Sequence, residues 1–217
     1  CLVREAVNAQ LRFAEGMLKS SRCSRKLHDP LYSAVGWLAH AAAFMAFDAY
    51  AHDDARRMFG FALACAEEAK DWHLRAKVLS SMARQAIWIG DADNGLTLAE
   101  YALVRADRLT PATRAMLRTA QARAFAKLGR VTETWEAVRK ADKEFERIHP
   151  GDELPWMRYY DAAQHQGDTG HAVFDLAIDA RPLARAADTR TISGSVNPQY
   201  VGEASARLAG AVAGHTA

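Results

Sequence analysis

Several kinds of chemistry are missing from this chain at the level of motif. Its three cysteines, Cys1, Cys23 and Cys65, form no C-x-x-C pair, and its glycines stand singly, never building a G-x-x-x-x-G-K-[ST] loop or a G-x-S-x-G turn. None of its eight histidines belongs to an H-E-x-x-H or joins a cysteine at ligand spacing. Zinc ribbons, phosphate loops, hydrolase elbows and zincin helices all need such residues at fixed intervals, because the ligating or cradling groups must converge on one atom. No catalytic activity, metal or cofactor is therefore expected. An odd cysteine number without a disulfide framework suits a reducing compartment, so a cytoplasmic protein is expected.

An excess of one charge is also lacking. The 28 Lys and Arg are mixed with 26 Asp and Glu for a net +2, which gives no field able to hold nucleic acid or an anionic membrane. The opening CLVREAVNAQLRFAEGMLKS carries Arg4, Glu5, Arg12 and Glu15, so it holds neither the apolar run of a signal peptide nor a membrane span. It enters an amphipathic pattern at once and has no initiator methionine. The expectation is that the chain begins inside a larger protein or is preceded by further residues. The six prolines cluster in the second half and β-branched residues are sparse, which disfavours strand.

What is present is alanine-rich apolar sequence. Half the residues are hydrophobic in a chain of 217, enough for one sizeable core, and the composition predicts an all-α fold. A repeat then emerges. WIGDADNGLTLAEYAL, KLGRVTETWEAVRKA and HQGDTGHAVFDLAID each place a helix end at a glycine, a charged residue next, and a small residue four positions later. The glycines Gly90, Gly129 and Gly167 stand 39 and 38 residues apart, followed by Asp91, Arg130 and Asp168. AYAHDDARRMFGFALACA keeps the register with Tyr50 at the turn. The small-residue series is then Ala55, Gly95, Thr134 and Ala172, with Ala62, Ala102 and Ala141 seven residues on. Ala43, Ala83 and Ala122 stand twelve residues before, where Tyr160 breaks the pattern, so the fourth pair is expected to be the most irregular.

Glycine can take the left-handed conformation that reverses a chain at a helix end, and small residues let paired helices approach closely. The spacing predicts helices near 2–20, 30–50, 53–70, 72–89, 92–107, 111–128, 131–148, 155–166, 169–187 and 199–213. Asp29-Pro30 and Thr110-Pro111 read as an N-cap before a first-turn proline. His149-Pro150-Gly151-Asp152 and the stretch 187–198 read as breakers. Residues 1–28 form an N-terminal helix and a basic loop around Cys23. Residues 29–217 form the repeat domain, with pairs at 30–70, 72–108, 111–149 and 154–187 and a terminal helix at 199–213.

The spacing resembles tetratricopeptide repeats (TPR), lengthened by about five residues per unit. The runs LYSAVGWLAHAAAFMAFDA, VLSSMARQAIWIGD and PWMRYYDAAQHQGDTGHAVFDLA resemble the TPR-like C-terminal region of helix-turn-helix (XRE-type) bacterial transcriptional regulators, over residues 10–215. The resemblance implies a right-handed superhelical solenoid of antiparallel helix pairs that senses a peptide or small ligand, or binds a partner protein. It also implies self-association as a homodimer, and DNA reading by a domain absent from this chain. A stand-alone scaffold that recruits a protein partner is the alternative.

In such a stack the first helix of each pair lines the concave side. Counting from the small positions gives Trp37, His40, Phe44, Phe47 and Asp48; then Lys77, Ser80, Arg84, Ile87 and Trp88; then Met116, Thr119, Arg123 and Lys127; and last Met157, Asp161 and Gln164. An aromatic end passes into a basic middle, which suits a ligand with a carboxylate and an apolar part. Against this, aromatic residues at helical spacing commonly form core, and basic residues a solvated face. His165 and His171, with Asp168 or Asp175 near, are read as turn-packing groups, Cys65 as a small buried hydrophobe and Cys23 as a loop residue.

Overall fold

The computed structural model describes residues 2–19, 25–149, 151–178 and 198–215. Those residues form nine α-helices and two short 3-10 turns, with no strand among them. Cys1, Cys23 with its basic loop, Pro150, and the predicted helix and loop over 179–197 lie outside the described residues. The chain divides between Gln85 and Ala86 into two compact units.

Unit 1 contains α1 (Leu2–Lys19), α2 (Arg25–Asp48), α3 (His52–Glu68) and most of α4 (Trp72–Trp88). Its core is built on alanine: Ala39, Ala43, Ala55 and Ala62 are fully buried around Phe59 and Leu74. Methyl-sized contacts bring helix axes close, and the larger side chains supply the apolar area. Gly36 marks the tightest approach, since a Cβ there would lie 2.6 Å from Leu74 Cδ2 and 3.1 Å from Cys65 Cβ. Leu11 and Ala14 of α1 join the same core. Cys65 is buried, and burial pushes its thiol up to about 11, with Glu15 adding to the effect.

Helix α2 starts at Arg25, so Asp29 is not its cap and Pro30 lies inside it. This corrects the proline-first reading. As the sixth residue of the helix, Pro30 has no amide to donate to the Lys26 carbonyl, so the first turn of α2 forgoes that hydrogen bond. By length and composition Lys26–Asp48 is also apolar enough to cross a membrane, with mean hydropathy 1.2. In unit 1 its Ala39, Ala42, Ala43 and Ala46 are core residues.

Contacts between α2 and α4 climb both helices together. The Ser33 hydroxyl donates to Asp71 Oδ2 (2.6 Å), Gly36 faces Leu74, and His40 reaches Ser81. The two helices therefore run parallel, offset by about one repeat. Asp71 also caps α4, its Oδ1 accepting from the amides of His73 and Leu74 at 3.1 and 2.9 Å.

Unit 2 contains α5 (Ala92–Leu103), a 3-10 turn at Ala106–Arg108, α6 (Pro111–Lys127), α7 (Val131–Phe145), a second 3-10 turn at Pro155–Met157, α8 (Ala162–Ala177) and α9 (Pro198–His215). Thr110 caps α6 ahead of Pro111, as predicted. Helix α6 is central, with Ala112, Ala115, Leu117, Ala122 and Ala124 buried on several sides.

Every predicted small position is buried. Ala55, Ala62, Thr134, Ala141 and Ala172 have no exposure, Gly95 and Ala102 are buried, and Ala43, Ala83 and Ala122 are fully enclosed. The turns are equally regular. Tyr50, Lys70, Gly90 and Gly129 all adopt positive φ, at 58, 54, 90 and 70°. In each case the following amide donates to the carbonyl five residues back: Ala51 to Ala46, Asp71 to Ala66, Asp91 to Ala86 and Arg130 to Phe125. This is the Schellman closure of a helix end.

The fourth pair departs from prediction. Helix α8 begins at Ala162 and runs unbroken through Gly167, so there is no turn at that glycine and no helix over 155–161 beyond the short 3-10 piece. The α8 glycines serve helix crossing instead. A Cβ on Gly170 would stand 3.1 Å from Leu208, and one on Gly167 3.7 Å from Ala211. From the other side, Gly214 would meet Ala163 Cβ at 2.8 Å, and Gly210 would collide with the Gln166 amide. Helix α9 lies in this small-residue seam, with Ala204 and Ala211 buried.

Candidate functional site

In unit 1 the anticipated aromatic residues are mostly core. His40 and Phe47 are buried, while Phe44 and Trp37 are half-buried against the same cluster. The imidazole of His40 sits among rings, with centroids 5.7 Å from Phe59, 5.9 Å from Phe44 and 6.1 Å from Trp37. Its Nε2 is hydrogen-bonded to Ser81 Oγ at 2.9 Å. Burial, and then the Lys77 ammonium, bring its pKa down to about 4, so it is neutral near pH 7. Asp48 is exposed at the end of α2.

Helix α4 is buried nearly all round: Leu74, Ala76, Val78, Leu79, Ser81, Ala83 and Gln85 are enclosed. Within unit 1, Lys77 and Ser80 are half-buried and Arg84 is exposed, at i, i+3 and i+7 on one face, while Trp72, His73 and Met82 are also half-buried. The Arg84 side chain is exposed and has no ion-pair partner among the described residues. Trp88 belongs to unit 2 and is 62% exposed, whereas its neighbour Ile87 is buried.

In unit 2, Met116, Thr119 and Met157 are buried. Arg123 and Lys127 are not a free basic wall. Lys127 Nζ lies 2.7 Å from Asp175 Oδ1 and Arg123 Nε lies 3.9 Å from Asp175 Oδ2, with Asp175 itself only 10% exposed. Asp161 is the N-cap of α8, its carboxylate accepting from the Gln164 amide at 2.8 Å, and Gln164 Nε2 donates to Asp168. Arg84 and Arg123 fall in different units.

A cluster that the sequence did not disclose joins α7, α8 and α9. Arg207 Nη2 donates to Asp142 Oδ2 at 3.0 Å, and its Nη1 donates to Asp142 Oδ1 and Thr169 Oγ1. Its Nε donates to Glu203 at 2.7 Å. His165 Nε2 lies 2.8 Å from Asp142 Oδ1 and its Nδ1 lies 3.1 Å from the Tyr160 hydroxyl. Burial would raise the Asp142 carboxyl, but the hydrogen bonds from His165 and Arg207 outweigh it and hold the group at about 2. An ionised carboxylate only accepts, so Nε2 of His165 carries the proton facing Asp142. Burial pushes the Tyr160 phenol well up. The Phe145 ring stacks on His165 at 4.3 Å.

A cleft of about 430 Å³ opens beside this cluster, lined by Phe145, Glu146, Gln166 and Ala206 along with the charged residues. The Arg207 donors face carboxylates and Thr169, so the cluster's chemistry is that of a clamp on three helices. His165 therefore pairs with Asp142, not with His171, Asp168 or Asp175. No legible signal marked this arrangement: Asp142 is one of several charges on α7, and its partner Arg207 lies 65 residues away. Among the described residues, no group of three or more His, Cys, Asp or Glu could hold a metal ion. The sequence matches no protein-family model, and no curated protein matches it.

Proposed function

We propose that this chain is the ligand- or peptide-sensing, protein-interaction part of a cytoplasmic transcription regulator. In this reading it is built as TPR-like hairpins of a right-handed superhelical solenoid, non-catalytic, with DNA read by a domain outside it. Two features of the fold support a hairpin repeat: the four identical helix-ending turns, and the parallel run of α2 and α4 at an offset of 38 to 41 residues. Repeats of this kind use the solvent-facing residues of their first helices for recognition.

The observation that carries the proposal is the exposure pattern of α4. Along its unit 1 part this helix has one exposed residue, Arg84, with Lys77 and Ser80 half-buried on the same face; Trp72, His73 and Met82 are half-buried as well. Core packing accounts for the rest of the helix but asks nothing of Arg84. An exposed guanidinium is suited to an anionic group of a ligand.

Panning a random peptide library with free C-terminal carboxylates against the purified chain tests this. Enrichment of peptides with an anionic end and apolar side chains is expected. The double variant Lys77→Ala/Arg84→Ala should lose their binding while its urea midpoint stays within about 0.5 kcal/mol of the parent. Absence of enrichment, or binding untouched by the double variant, refutes the reading.

A further inference from the structure

The packing of His40 has a consequence independent of any ligand. On α2 the ring lies between Trp37 and Phe44, α3 contributes Phe59, and α4 contributes Ser81 and Lys77. Only 7% of His40 is exposed. Among the groups facing it there is one polar partner, the Ser81 hydroxyl, and one charge, the Lys77 ammonium, which has the same sign as an imidazolium. No carboxylate faces it among the described residues. A buried cation without a counter-ion is among the costliest states a protein interior can hold.

The α2–α4 seam is uneven along its length. At one end the Ser33–Asp71 hydrogen bond and the close fit of Gly36 on Leu74 fasten the helices. Farther along, His40 and Ser81 tie the two helices through a single hydrogen bond of 2.9 Å. A proton added to His40 therefore stresses the seam away from its fastening.

We propose that the α2–α4 seam is a proton-operated gate: protonation of His40 parts the helices beyond Gly36 and opens the aromatic wall of Trp37, Phe44 and Phe59 to solvent. The device needs a neutral imidazole to close and has no carboxylate to accommodate the charged form. Lys77 sets its threshold. Without that ammonium the closed seam tolerates the proton better, so opening requires stronger acid.

Peptide-resolved hydrogen exchange, corrected for intrinsic rate, tests the gate between about pH 7.5 and about pH 5. With the His40 pKa at about 4 in the closed seam and 6.5 when freed, opening should become about thirtyfold more populated at the lower pH. The gain should appear at 37–48 and 77–85, be weaker at 30–36, and be accompanied by binding of an apolar fluorescent dye. His40→Gln should exchange alike at both pH values. Lys77→Met should move the midpoint of opening to lower pH, and it settles the matter should His40→Gln fail to fold. The gate is overturned if the parent exchanges equally at both pH values, if folded His40→Gln opens over the same range, or if the Lys77→Met midpoint stays or rises.

Discussion

At the residue scale, the helix-ending turns show that backbone conformation was set by position and only partly by residue type. Gly90 and Gly129 announce themselves because glycine takes positive φ without a Cβ penalty, whereas Tyr50 and Lys70 do the same job with side chains present. A left-handed residue with a Cβ costs about 1 kcal/mol or more. Lys70 is exposed and lies at φ 54°, so Lys70→Gly is expected to raise stability by about 1 kcal/mol, read as an increase in urea midpoint at constant m-value. An unchanged or lower midpoint would mean that the lysine gains something at the turn that outweighs its strain. The same residue type misleads elsewhere: Gly167 resembles Gly90 in its sequence neighbourhood, yet it lies inside α8 because Asp161 caps a helix that starts five residues before the glycine. Its hydrogen atom faces α9, a neighbour that local sequence does not reveal.

At the element scale, the small-residue register was legible because it repeats. Burial of Ala55, Gly95, Thr134 and Ala172 follows from helices that must approach closely at one point per hairpin. The docking of α9 was not legible, since its holding groups Asp142, His165, Thr169 and Arg207 come from three helices with no common spacing. Two glycines of unit 1 separate packing from propensity. Gly60 on α3 has open space where a Cβ would go, so Gly60→Ala is expected to stabilise by about 1 kcal/mol. Gly36→Ala gains the same propensity but drives a methyl to 2.6 Å from Leu74, and a net loss of about 1–3 kcal/mol is expected. Opposite signs in chemical denaturation would support the close α2–α4 fit. If both variants stabilise, the seam is looser than its geometry. For the clamp, Arg207→Met should release α9, seen as a loss of amide protection over 200–213 with α6 unaffected. Retained protection would show that the glycine seam alone suffices.

At the scale of the whole molecule, the two units carry acid-labile groups of different kind. His40 has its folded pKa depressed, to about 4 against 6.5. The neutral form is favoured on folding, so its contribution is complete above pH 6.5 and is lost as pH falls toward 4. That difference corresponds to at most about 3 kcal/mol for unit 1. Asp142 is also depressed, to about 2 against 3.8, but there the charged form is favoured. Its contribution is complete above about pH 4 and is lost as pH falls toward 2. With about a third of the carboxylate exposed, solvent screening leaves it at about 1 kcal/mol. Acid titration should therefore weaken unit 1 first, between pH 6.5 and 4, and the clamp of unit 2 only below that. Amide protection of 37–48 should fall while that of 163–176 persists, and Asp142→Asn should flatten the lower stage without moving the upper one. Loss of protection in the reverse order would mean that the buried imidazole is compensated by a group the packing does not show. Simultaneous loss would mean that the two units unfold as one.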